Sequence, residues 1–157
     1  MTRTEKIALF NRVANSPEVL RSIAPGLEYV DFSSFFNEPR NVMLGDVRGL
    51  VVFFTAGNAE YDVHFLLTDA LRGSDALCAI RLSLNYMFTA RHASVIYGAT
   101  PRENRACRAI ARALGARPVG VTTDFFGRAC LKYSIERDKW AILSGNSPAP
   151  AKLTKAS

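Results

Sequence analysis

Between Thr4 and Ala14 the apolar residues Ile7, Phe10, Val13 and Ala14 recur three or four positions apart, the spacing that gathers one face of a helix. "NSPEVL" predicts a second short helix running on to Ile23, with Ser16 as N-cap and Pro17 at its first position. Residues 29–36 show no clear period. The pattern then changes. "NVMLGDVRGLVVFFTAG" holds two runs of strand-forming residues around a turn from Gly45 to Gly49, as a hairpin would, and "EYDVHFLLT" predicts a third strand. Over residues 74–90 the helical period returns, with Leu77, Ile80, Leu84, Met87 and Phe88 on one face. "ASVIYGATP" follows as a strand that Pro101 stops. The next helix carries Ala106, Ile110, Ala113 and Leu114 on its apolar side and ends at Gly115, a residue suited to a left-handed C-cap. Two last strands, over residues 118–123 and 129–136, flank a turn at 124–127. Helices, three strands, helix, strand, helix and two strands make an α+β or α/β protein, a mixed sheet covered by helices, with no internal repeat.

Composition narrows the class. A chain of 157 residues with 48% apolar and 22% charged side chains can build one sizeable core, so a single domain is expected over residues 1–145. The Pro-, Ala- and Lys-containing segment 146–157 reads as a flexible tail. Apolar runs such as Leu50 to Phe54 are far shorter than the roughly 20 residues that cross a bilayer, and "MTRTEKIALF" does not look like a secretory signal, so a cytoplasmic protein is expected. Cys78, Cys107 and Cys130 form no CxxC pair and read as buried free thiols; two histidines leave little for a metal site. The net charge of +6 suits acidic partners, from a CoA-like cofactor to nucleic acid, but the basic residues are spread and show no dense patch interleaved with aromatics.

Element order and one motif together resemble the GNAT superfamily of acyl-CoA-dependent N-acyltransferases. The strand "SVIYGATP" is followed by Asn104, Cys107 stands where that family usually has Ala, and Leu114-Gly115-Ala116 closes the helix at the family's spacing. "RGSDALCAIRLSLNYMF" resembles the other half of the signature, a Gly-rich loop feeding a long central helix. "NSPEVL", "EYDVHFLL", "RGSDAL" and "MFTARHA" are similar in order to a divergent GNAT-like group often encoded by phages and prophages. The resemblance covers roughly residues 5–137 and implies a mixed, mostly antiparallel sheet of about six or seven strands flanked by about four helices.

It also implies a site. Leu66, Leu67, Arg72, Gly73, Ser74, Asp75, Ala76, Asn104 and Arg108 would hold an acyl-CoA, acetyl-CoA foremost, because backbone N–H groups at a helix N-terminus and the helix dipole favour a pyrophosphate. Two departures stand out. Ala70 replaces the preferred Gln or Arg, and Asp75 replaces Gly or Ala, putting a carboxylate where a phosphate would sit. Read without the resemblance, "RGSDAL" is an ordinary helix start capped by Ser74, and Arg105, Arg108 and Arg112 are a solvated stripe. Asn104 fits either as a cap or as a polar contact for the pantetheine arm.

Acyl transfer needs a deprotonated amine, a polarised thioester and a proton for the leaving thiolate. Many GNAT enzymes use a Tyr seven residues after the helix Asn for that proton; here the position is Ala111. Tyr97 and Tyr133 are the substitutes, with strand packing as their alternative role. His64 is the candidate base, and alternation puts Glu60 and Asp62 on its side of the strand. A hydrogen-bonded structural histidine is the alternative. His92 reads as an exposed loop residue, Cys107 as packing, and the paired phenylalanines as core or lid. The expected partners are a CoA thioester and an amine acceptor, with a phage or prophage protein and a second copy of the chain as further candidates, and with a virion-associated setting if the protein is phage-encoded. A non-catalytic phage or prophage accessory protein on the same fold is the opposing reading; nucleic acid and membrane are not expected partners.

Overall fold

Two helices open the chain and lie on one face of the sheet. The computed structural model describes residues 1–144, so the tail expected at 146–157 lies outside the described residues. Helix α1 (Arg3–Ala14) starts in a capping box, the Thr2 hydroxyl accepting from the Glu5 amide while the Glu5 carboxylate accepts from the Thr2 amide. Helix α2 (Pro17–Ile23) begins with proline as expected, but Ser16 does not cap it through its side chain. Its hydroxyl donates backwards to the Val13 carbonyl at 2.7 Å, closing α1 instead. The patternless stretch before the first strand ends in a short 3₁₀ turn, Ser33–Asn37.

Strands β1 (Val42–Asp46) and β2 (Gly49–Gly57) form the expected hairpin, closed at Val47-Arg48, with Asp46 opposite Gly49. Gly45 is required there, since its φ is +128° and a Cβ would lie 2.2 Å from the Gly49 carbonyl oxygen. Strand β3 (Glu60–Leu67) pairs antiparallel with β2. Helix α3 (Gly73–Thr89), strand β4 (Val95–Pro101), helix α4 (Arg105–Ala113), strands β5 (Arg117–Thr123) and β6 (Ala129–Glu136) and helix α5 (Arg137–Ser144) complete the described chain. The six strands lie in the order β1-β2-β3-β4-β6-β5, antiparallel except for β3 against β4. This is the mixed, mostly antiparallel sheet expected, with one more helix than anticipated. Helix α5 shows no helical period in the sequence because its apolar residues, Trp140 to Leu143, are consecutive; Trp140 anchors it by stacking on Phe88 with ring centroids 5.8 Å apart.

Both faces of the sheet are covered, which is why Leu50 to Phe54 can be continuously apolar. Leu50 and Val52 point into a core with Phe10, Val13 and Val19, while Val51 and Phe53 point into the core built on Ile80, Leu84 and Met87 of α3. Two details of the helices differ from expectation. Ala106 and Ala113 are exposed; α4 turns Cys107, Ile110, Ala111 and Leu114 inward, a stripe at i, i+3, i+4 and i+7. Cys78 is exposed on α3, so only Cys130 of the three thiols is fully buried, Cys107 being half-buried.

Candidate active site

The site originates in a failure of pairing. Strands β3 and β4 run parallel, yet their register spans only Glu60 to Asp62 against Val95 to Tyr97. Beyond those three pairs the strands part, and among the described residues no strand pairs with the β4-facing edge of β3 from Val63 onward, while its other edge stays paired with β2. A cavity of about 290 Å³ occupies the gap. Side chains from both faces of the sheet line it, Val63 and Phe65 from one and His64 from the other, which only splayed strands allow. One wall is α4, through Asn104, Cys107 and Ala111; the other is the end of α2 and the β5–β6 turn, through Ser22, Ile23 and Phe126.

His64 stands at the mouth of this cavity. It shares its side of β3 with Asp62 and Glu60, as strand alternation predicts, and its ring meets the edge of Phe54 at 5.3 Å. Water reaches the ring, but protein atoms crowd it, and this desolvation holds its pKa below the ordinary 6.5, with the Asp62 charge pulling the other way. The imidazole is therefore neutral near pH 7 and able to accept a proton.

The two tyrosines separate. Tyr133 pairs with Gly98 in the sheet and lines the cavity. Tyr97 pairs with Asp62 on the other face, outside the cavity lining, where the Lys132 ammonium lies 4.7 Å from its ring centroid. Leu66 is buried in the core under α1, and Leu67 packs partly buried on the α3 side.

At the start of α3 the helix begins two residues earlier than a Ser74 cap in "RGSDAL" implies, at Gly73. Arg72 occupies the cap position in extended conformation and no side chain caps the helix, so Ser74 is not the cap. Gly73 turns the chain with φ +61° and has open space where a Cβ would be. Among the described residues no carbonyl or side chain accepts from the amides of Gly73, Ser74 and Asp75, which face outward at the positive end of a 17-residue helix. Ala76 is buried beneath them. Arg72 pairs with Asp69 at 2.7 Å, so it does not neutralise Asp75; the Asp75 charge instead reaches Arg48.

Asn104 is the N-cap of α4, its Oδ1 accepting from the Cys107 amide at 3.1 Å, and it borders the cavity as well. Burial raises the Cys107 thiol pKa, with the Asn104 bond and the Arg72 charge opposing, so the residue is a thiol and not a nucleophile. Arg81 of α3 donates to the Ala113 carbonyl at the end of α4 at 3.3 Å, and the Arg72 charge before α3 reaches Cys107 in the first turn of α4, so the two helices run side by side in the same direction with their N-termini at one end. Arg108 departs from the solvated reading: its Nε is buried and has no hydrogen-bond partner among the described residues, whereas Arg105 and Arg112 are exposed. His92 is exposed, as expected.

Sequence reasoning did not find the ion pair at the cavity rim. Asp124 accepts from the Arg128 Nε at 2.6 Å and from the amides of Phe126 and Arg128, while Arg128 donates to the Ser22 carbonyl at 3.0 Å. Burial works against the Asp124 charge, but these bonds outweigh it and lower its pKa. The spacing of Asp124 and Arg128 was visible, but their tie to α2, over 100 residues away in sequence, was not. Among the described residues no group of three or more His, Cys, Asp or Glu side chains can hold a metal ion, and no helix is long and apolar enough to cross a membrane.

No family model matches the sequence, and no curated sequence matches it at significance. Solved structures do match. A variant of the spermidine N-acetyltransferase SpeG from Vibrio cholerae superimposes with a TM-score of 0.69 at 15% identity, over 92% of this chain and 95% of that one. RimJ from Mycobacterium smegmatis, solved in complex with CoA-disulfide, gives 0.66 at 15% identity, over 92% and 87%. A GNAT-family acetyltransferase from Bacillus anthracis gives 0.66 at 14% identity, over 85% and 90%. At these identities the likeness is one of fold: this chain has the GNAT fold.

Proposed function

We propose that this GNAT-fold chain is an acyl-CoA-dependent N-acyltransferase, most simply an acetyltransferase, that moves an acyl group directly from CoA to an amine in a ternary complex. The observation that carries it is the splay of β3 from β4 beside two adjacent helix N-termini, one of them uncapped. A bound acyl-CoA would supply an activated thioester carbonyl. The protein's own part is to bind, orient and move protons.

The residues fit such a ligand. The free amides of Gly73, Ser74 and Asp75 suit a pyrophosphate, and the missing Cβ at Gly73 leaves room for close approach. The orphaned Nε of Arg108 is a buried donor in want of an acceptor. The unpaired edge of β3 past Asp62 offers backbone groups to the amides of a pantetheine arm. In the transfer, His64 takes the proton from the amine as its nitrogen bonds to the acyl carbon and the C–S bond breaks. Tyr133, on the cavity wall, is the donor to the departing sulfur; Tyr97, outside the lining, has no such path.

Asp75 and Ala111 favour a second reading, in which a phage or prophage accessory protein keeps the fold for binding alone. Thermal melting separates the two. Acetyl-CoA at a hundred times its dissociation constant is expected to add about 2.7 kcal/mol of stability. Asp75→Asn, which removes a carboxylate from the first turn of α3, is expected to tighten that binding by about 1 kcal/mol, roughly fivefold. A melting temperature that ignores acetyl-CoA in both proteins would favour the binding-only reading.

A further inference from the structure

The acceptor end of the cavity has a chemistry of its own. Its walls are the last turn of α2, with Ser22 and Ile23, the end of β4, with Ala99 and Pro101, and the β5–β6 turn, with Phe126. Phe126 holds Phe125 edge-on at 5.6 Å, and Phe125 stands 96% exposed at the tip of the turn. The strap from Arg128 to the Ser22 carbonyl fixes this turn against α2, so the wall is built and not incidental. Among the described residues two formal charges line the cavity, Asp124 and Arg128, and they pair with one another at 2.6 Å. Glu60 and Asp62 lie on the neighbouring stretch of β3 but outside the lining, and the one carboxylate whose charge reaches His64 is Asp62.

A polycation needs several carboxylates to replace its hydration, and without them each extra ammonium is desolvated at a cost. Here the field serves one ammonium. The rest of the acceptor meets aliphatic and aromatic surface, which rewards an apolar body. Size sets a further bound. A cavity of about 290 Å³ is near the lower end for ligand sites and must also admit an acyl group, leaving room for a small acceptor.

Taking the acyltransferase reading as its basis, we infer that the acceptor is a small monoamine carrying an apolar or aromatic group, and that Phe126 selects it. This separates the chain by chemistry from the spermidine-acetylating protein whose fold it shares.

The test uses the full chain and calorimetry with 2-phenylethylamine, ethylamine, spermidine and a short peptide with a free N-terminus, each with and without CoA. The aromatic monoamine is expected to bind at least about tenfold tighter than spermidine or the peptide, in line with the selectivity of apolar pockets. Phe126→Ala is expected to lower the 2-phenylethylamine affinity by about tenfold and that of ethylamine by less than about threefold. Equal or tighter binding of spermidine or the peptide overturns the proposal, as does a Phe126→Ala variant that weakens both monoamines alike. Because amine affinity is read without turnover, and acetyl-CoA binding is read separately by melting, loss of the acyltransferase reading is distinguishable from loss of this one. If Phe126→Ala does not fold, the wild-type order of affinities still decides.

Discussion

His64→Gln is expected to slow acyl transfer to amines by about 10²- to 10⁴-fold, the range attributed to a positioned general base, while acetyl-CoA affinity stays within about twofold. The imidazole stands at the mouth of the gap between β3 and β4, where an amine would approach the cavity. Glutamine keeps a polar side chain there but takes up no proton. The pH profile gives a second readout. Because crowding lowers the His64 pKa below 6.5, the wild-type rate is expected to hold through neutrality and to fall only on acidification through that lower value. The falling limb should vanish in His64→Gln.

Stability carries the same signature with a definite sign. The unfolded chain protonates His64 near 6.5 and the folded chain only below that, so between the two values unfolding takes up a proton. The contribution is complete above about pH 6.5 and is lost as the pH falls toward the folded value. Urea midpoints measured at pH 7.5 and 5 should therefore differ more for the wild type than for His64→Gln. A variant with unchanged transfer rate removes His64 from the mechanism, whatever its effect on stability.

Phe10→Ala is expected to cost about 3–5 kcal/mol, the usual range for truncating a fully buried phenylalanine. For a chain of this size that is a fall in melting temperature of roughly 6–20 °C. Phe10 has no solvent exposure and is the hub of an aromatic cluster, stacked on Phe32 at 4.5 Å and edge-on to Phe35 at 5.0 Å. The cluster continues from Phe35 to Phe54 at 4.9 Å and from Phe54 to His64 at 5.3 Å. Truncation thus leaves a cavity and loosens the ring that backs the candidate base. Phe10→Leu should recover more than half of the loss, since it refills most of the volume. A melting temperature within 2–3 °C of wild type, about 1 kcal/mol on the same scale, would show that the site collapses freely and that the cluster is not a rigid support.

The sheet's six strands and the first four α-helices were legible because each rests on local periodicity and on punctuation by Pro17, Pro101 and Gly115. Helix boundaries were less so. Ser16 and Ser74 both look like caps, yet the chain geometry gives one hydroxyl to the preceding helix and moves the other inside α3. Alanines mislead in the same way, since a small apolar residue costs little on either side of a helix; Ala106 and Ala113 ended outside while Ala111 faced in.

For the site, strand alternation alone put His64 with Asp62 and Glu60, and Asn104 at a helix start was readable as a cap. The parting of β3 and β4 was not, because register between strands separated by a helix is settled by packing and not by local pattern. That parting decides which tyrosine reaches the cavity, since Tyr97 and Tyr133 read alike in sequence but occupy opposite faces of the sheet. It also decides what the far wall is made of, through the Asp124–Arg128 pair and its tie to Ser22. The amino-acid order by itself determined the elements and their faces, because those follow from neighbours a few residues apart. Only the tertiary structure decided the cavity, its walls and its neutral charge, because those arise where distant segments meet.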